Sequence, residues 1–429
     1  MALGLTLGFL ALLVVGTPIA FGLGIVGAVG FILYDPTLLR LIPQRMYAGV
    51  DSFPLMAVPF FVLAGDLMGT SGILTRLVHF AETLVGHIRG GLAHVNIVAS
   101  MIFAGISGSA IADASALGSA LIPGMEARFK NRNFAAGVCA SAATIGPIIP
   151  PSIPMVVYAY VVGQVSIGGL FLAGVLPGIL MGLGMMAIVY VIARRRGYEP
   201  EGRRASLGEM WSAFRDAVWA LIMPIIILGG ILGGIFTATE AAAVAAAYAI
   251  IVGRFITGEL QWRHVQKALT NCVLVSAVVF ILVATSNIVS WLLTATMVPA
   301  TISAALRQVS NNPIVFLLLV NLFLLVVGCL LDNIAAMIMI APILAPIAVK
   351  YGIDPLHFGF VFVLNSVIGL LTPPVGAILF TVCGIAKAPI ERVAKEALPL
   401  LLWQVVVLVL VTYFPVLATG LPHLFGYGR

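Results

Sequence analysis

The chain has 429 residues, of which 61% are hydrophobic and only 9% charged, with a formal net charge of +6. Soluble domains carry about 25% charged residues. So apolar a chain could not stay dispersed in water, which excludes a cytosolic enzyme, a nucleic-acid binder and a disordered scaffold. The composition is that of a polytopic membrane protein, in which the placement of charge matters more than its sum.

About 20 apolar helical residues cross a bilayer core. The first candidate, 3–34, is interrupted by Gly16, Thr17 and Pro18, and lacks the basic leader and cleavage site of a removed signal. A span at 53–69 and an amphipathic arm at 73–88 follow. Segment 91–123 is apolar but split by Ser107, Gly108 and Ser109 into pieces too short to span alone, which predicts a re-entrant helical hairpin. Segment 133–163 is broken between Gly146 and Pro151. Spans at 167–193, 217–236, 238–253 and 268–284 come next, with a polar linker at 198–215 and a second arm at 289–306. The pattern then returns: a hairpin at 313–346 split between Gly328 and Asn333, a broken segment at 355–386 with Thr372, Pro373 and Pro374, and a last span at 397–417.

With both ends of the first hairpin on the cytoplasmic side, nine full spans and two hairpins place 17 of the 22 Lys and Arg inside and 5 outside. That is the bias cytoplasmic loops require. The N-terminus is then expected inside, the C-terminus outside, and the hairpins enter from opposite faces. Asp113 and Asp332 each precede a proline by ten residues, Pro123 and Pro342. Ile145-Gly146 leads Pro150-Pro151 by the same offset as Ile368-Gly369 leads Pro373-Pro374. The two halves therefore read as inverted repeats. The expected fold is an all-α polytopic membrane protein, divided into N-terminal scaffold and arm (1–90), first hairpin and broken helix (91–166), connecting and scaffold spans with the second arm (167–312), second hairpin and broken helix (313–388) and C-terminal span (389–429).

Unwound backbone at membrane depth must line a cavity or bind something. Paired broken helices in inverted repeats point to a transporter's central site. Carbonyls freed at the breaks suit small cations, and half-helix N-termini suit anions. Any one break, taken alone, reads as a packing kink, whereas four arranged in two repeats read as binding.

The run from Phe103 to Asp113, with Gly118, Pro123 and Met125, resembles the first hairpin of the large membrane subunit of tripartite ATP-independent periplasmic (TRAP) transporters. So do 59–65, 145–152 and 369–376, and the resemblance runs essentially end to end. It implies sodium-coupled, elevator-type uptake of an organic acid across a bacterial or archaeal inner membrane. It also implies a small four-helix membrane partner and a periplasmic substrate-binding protein. No extra region precedes Met1, so the small subunit is expected as a separate chain. By the same resemblance one sodium site comprises Ser107, Ser109 and the carbonyls of Gly146, Ile149 and Pro151, and a second comprises Gly328, Gly369, Thr372 and Val375. Ser109, Ser152 and Asn333 are the candidate substrate contacts. No cofactor is expected, sodium being the coupling ion.

Carboxylates at membrane depth are few: Asp66, Asp113, Glu240 and Asp332. Asp113 and Asp332 open the second arm of each hairpin, where an acid caps free N–H groups, cation binding or proton relay being the alternative. Asp66 reads as interfacial and Glu240 as a helix start. His79, His87 and His94 read as a solvated edge. With no P-loop and no Gly-x-Ser-x-Gly, the chain reads as a non-enzyme. A passive channel, the rival class, would need a continuous polar lining. No Lys or Arg lies within the hairpins or breaks, so an anion there must be met by half-helix N-termini beyond Ser109 and Asp332 and by bound sodium.

Overall fold

The computed structural model describes residues 2–200, 203–373 and 376–427, and its regular structure there is helical. Helices α1 (Ala2–Val14) and α2 (Ile19–Tyr34) part at Gly16, whose φ is +88°, and at Pro18. They run antiparallel: a Cβ on Gly30 would lie 3.1 Å from Leu5, and one on Gly22 3.2 Å from Phe9. The 3–34 stretch thus folds back on itself and does not cross as one kinked span. That puts the start of α1 at the same end as Arg40, against the sequence expectation. A left-handed glycine followed by a residue without an N–H ends a helix outright.

Next come α3 (Leu41–Val50), α4 (Ala57–Thr70) and α5 (Ile73–Val85). Then α6 (Gly91–Ser107) and α7 (Ala110–Phe129) form the first hairpin. The chain reverses at Gly108, φ +60°, and the far ends meet, with Gly124 beside Leu92. Helices α8 (Arg132–Ala143) and α9 (Ile153–Val162) are the halves of the first broken segment. After them run α10 (Ile167–Arg195), α11 (Leu207–Leu232), α12 (Ala238–Ile251) and α13 (Trp262–Ala295). Thr237 and Glu240 make a reciprocal cap at the start of α12, as a carboxylate there suggested.

The second arm is shorter than its sequence limits. Residues 289–295 continue α13, and only α14 (Val298–Val309) is separate, set off by Met297 at φ +55°. The second hairpin is α15 (Pro313–Gly328) and α16 (Asn333–Lys350), its open end closed by Phe316 stacked on Tyr351 at 4.5 Å. Helices α17 (Pro355–Gly369) and α18 (Ala377–Ala386) form the second broken segment, followed by α19 (Ile390–Tyr413) and α20 (Val416–Leu424). Among the described residues seven helices are long and apolar enough to cross a membrane.

The repeats pack by exchange. Helix α7 lies against α8 of its own repeat and α18 of the other, while α16 lies against α17 of its own and α9 of the other. Each hairpin therefore rests on both broken segments, as a pseudo-two-fold axis between repeats demands. Helices α10 and α19 flank this bundle, and α4, α12 and α13 pack together beside it.

Candidate functional site

The first hairpin tip is pressed onto the first break. A Cβ on Gly108 would lie 2.7 Å from the Pro151 carbonyl oxygen, and the Gly108 carbonyl accepts from the Ile153 N–H at 3.4 Å. Ser109 caps α7, accepting from the Ala112 N–H at 3.4 Å. Asp113 is therefore not the cap that its position suggested. It is fully buried one turn into α7 and accepts from the Ser107 hydroxyl. Its second oxygen has no partner among the described residues and faces Gly146, where an added Cβ would collide with it. Ser107, Asp113 and Gly146 thus converge from three elements. Among the described residues, the carbonyls of Gly146, Ile149 and Pro151 receive no hydrogen bond. The Asp113 oxygen and these carbonyls are hard-oxygen donors of the kind that hard cations take.

The second repeat is arranged differently. The backbones of Gly328 and Gly369 touch, a Cβ on Gly369 falling 2.6 Å from the Gly328 Cα. Thr372 lies one turn beyond, half-buried, its hydroxyl donating to the Ile368 carbonyl at 3.0 Å. Val375 lies outside the described residues. Asp332 does cap α16, accepting from the Ile334 N–H at 3.0 Å.

Between the tips lies a cavity of about 900 Å³ lined by Ser107 and Ser109 of the first tip and Asp332 and Asn333 of the second. Ser152 does not line it: fully buried, it donates to the Pro147 carbonyl at 2.5 Å and accepts from the Met155 N–H at 3.3 Å. Ile149 packs against Gly178 of α10. Helices α4 and α13 close the far wall and contribute groups that the sequence reading left aside. Asp66, near the end of α4, faces the cavity. It accepts from the Asn271 amide at 2.6 Å, with Lys267 close by. Arg128 and Lys350 fall in the last turns of α7 and α16, far from the tips, and Lys267 of α13 lines the cavity. The three histidines do not form one solvated edge, for His79 is exposed and His94 buried.

Two helical hairpins set tip to tip across a cavity, each resting on both broken segments of a multi-pass helical chain, define a membrane transporter. Residues 6–417 match the family model of the tripartite ATP-independent periplasmic transporter, DctM component. The chain is 42% identical to the sialic acid TRAP transporter large permease protein SiaM of Vibrio cholerae, over 99% of this chain and all of that one. It is also 42% identical to the isethionate TRAP transporter permease protein DctMQ of Oleidesulfovibrio alaskensis, covering 95% of this chain and 64% of that protein. The C4-dicarboxylate large permease DctM of Pseudomonas aeruginosa is 40% identical over 94% of each chain. In fold the chain is similar to the YdaH transporter of Alcanivorax borkumensis, with TM-score 0.64 and 17% identity over 90% of this chain and 91% of that one. The chain belongs to the TRAP transporter family as a large permease protein of the inner membrane, a transporter and not an enzyme.

Proposed function

We propose that this permease carries out sodium-coupled secondary active uptake of an organic acid. The observation that carries the coupling is the buried cluster at the first tip, where the free Asp113 oxygen and the Ser107 hydroxyl meet a break with unpaired carbonyls. An ionised carboxylate buried there without a partner is costly, and a bound cation, as well as a proton, relieves that cost. Ser107, Ser109, Gly146, Ile149 and Pro151 hold one sodium ion in this reading, with Gly328, Gly369, Thr372 and Val375 holding another. Ser109 and Asn333, at opposing tips on the cavity, contact the substrate. The hairpins and broken helices move as one body against α4, α12 and α13, in an elevator-type cycle.

The substrate class rests on the relatives. Sialic acid, isethionate and C4-dicarboxylates share only an acidic group, and identity to the first two is equal. An organic anion is thus the reading that all three support. The family's small membrane subunit and periplasmic binding protein complete the system, the latter delivering the substrate. The test is uptake by the reconstituted complex with its binding protein. Accumulation above equilibrium that requires an inward Na⁺ gradient is expected, and unchanged uptake with K⁺ in place of Na⁺ would sink the coupling.

A further inference from the structure

We infer that Lys267, with Asn271 one helical turn further along α13, forms an anion-attracting subsite at the inner mouth of the cavity. It takes the carboxylate or sulfonate of the substrate between the hairpin tips and the cytoplasm. This deepens the reading of the cavity as an organic-anion path and rests on it.

The α13 residues that line the cavity follow one helical face, and that face is graded. His264, Lys267 and Asn271 stand at its start, whereas Leu274, Val278 and Leu282 further along are apolar. The facing wall of α7 carries Ser115 and Ser119 and runs down toward Arg128, Lys130 and Arg132. The cavity thus opens toward the basic side of the molecule, which is cytoplasmic by the positive-inside rule. Lys267 is the one Lys or Arg among the described residues lining it, and its side chain is exposed. Of the two acids that share the cavity, Asp66 accepts from Asn271 at 2.6 Å and offsets part of the Lys267 charge, while Asp332 accepts from the Ile334 N–H at 3.0 Å at the second tip. At the tips an anion is held against dipoles and sodium; once sodium leaves, it faces an apolar stretch of α13. A fixed ammonium at the end of that stretch raises the local potential and so lowers the energy of an anion on the way out.

The test uses the complete membrane complex in inside-out vesicles, with Ser115→Cys as a reporter thiol on the facing wall. The thiol is modified by anionic 2-sulfonatoethyl or cationic 2-trimethylammonioethyl methanethiosulfonate, with the complex lacking the new cysteine as background. The ratio of the two rates cancels the thiolate fraction and reports the local potential. Lys267→Gln should lower the anion-to-cation ratio several-fold, since losing a nearby unit charge shifts the two reagents' rates in opposite directions. Lys267→Arg should preserve it. For whichever of N-acetylneuraminate, isethionate and succinate the complex carries, Lys267→Gln should raise the inner-face half-saturation in exchange several-fold and Lys267→Arg should not. An unchanged reagent ratio overturns the subsite, as does a lowered ratio with unmoved inner-face half-saturation. If the wild-type complex carries none of the three anions, the transport reading is what fails, and the reagent ratio alone decides whether the mouth attracts anions.

Discussion

Two glycines meet backbone to backbone where the second hairpin tip touches the second break. A methyl group on Gly369 would sit 2.6 Å from the Gly328 Cα and 2.7 Å from its carbonyl carbon, backbone atoms that cannot rotate aside. Gly369→Ala should therefore cost about 1–3 kcal/mol, seen as a lower midpoint in detergent thermal unfolding. Gly384→Ala, on an exposed face of α18 with nothing within 4 Å of the new atom, is the control and should leave the midpoint unchanged or slightly higher. Thr372 allows a cleaner separation of folding from ion binding. Among the described residues its hydroxyl bonds only to the Ile368 carbonyl of its own turn, so Thr372→Val should cost less than about 1 kcal/mol. If the hydroxyl oxygen is a sodium ligand, the Na⁺ concentration for half-maximal uptake rises in proteoliposomes. An unmoved curve with normal expression makes Thr372 a packing residue.

Among helices, polar side chains do part of the joining that apolar contact with lipid-like surroundings cannot. Asn365 of α17 donates to the Asn321 side-chain oxygen at 2.7 Å, and Asn321 of α15 donates to the Thr412 hydroxyl of α19 at 3.0 Å. This buried chain ties the second hairpin to the helices behind it, away from the cavity. Asn365→Leu should destabilise by about 1 kcal/mol, the usual size of such bonds in membranes, without shifting the sodium dependence of uptake. A shift in that dependence would mean that the chain sets the geometry of the second tip and not only its anchorage. Helix limits show what a sequence does and does not announce. The hairpin turns and breaks carry glycine, proline or serine and were legible. The sequence span at 268–284 stops short of α13, which runs on through Thr285, Ser286 and Asn287. In the structure Thr285 and Ser286 bond back to the Ile281 and Val283 carbonyls at 2.8 and 3.0 Å, which satisfies them inside α13.

For the whole molecule the charge balance at the cavity governs the expected order of binding. Two carboxylates, Asp66 and Asp332, and one lysine line it, so away from Lys267, at the hairpin tips, its fixed charges do not by themselves favour an anion. Sodium bound at the tips would change that sign. Substrate affinity of the purified membrane complex, measured calorimetrically, is therefore expected to fall at least tenfold without Na⁺, about 1.4 kcal/mol. Ser109→Ala should reproduce part of the loss, because Ser109 caps α7 and lines the cavity. Equal affinity with and without sodium would mean that fixed dipoles and Lys267 suffice.

Composition, the two proline and glycine offsets and the serine-rich tip were enough to determine a multi-pass helical transporter with a repeated hairpin and break. These features are local: a glycine or proline ends a helix wherever the chain goes next. Direction in space was not local. Nothing in 3–34 states that α1 folds back along α2, since a kinked span and a hairpin share the same breaker residues. Asp113 could be read as a cap because cap and first-turn acid differ by only a few residues in sequence. The burial of its free oxygen against Gly146 depends on a break more than thirty residues away. Lys267 and Asp66 meet the hairpin tips only because α4 and α13 fold over the cavity, so no spacing within either segment announces them. The sequence therefore determines where the backbone must break, and the tertiary structure decides which charges those breaks face, because electrostatic neighbours are set by distance in space and not along the chain.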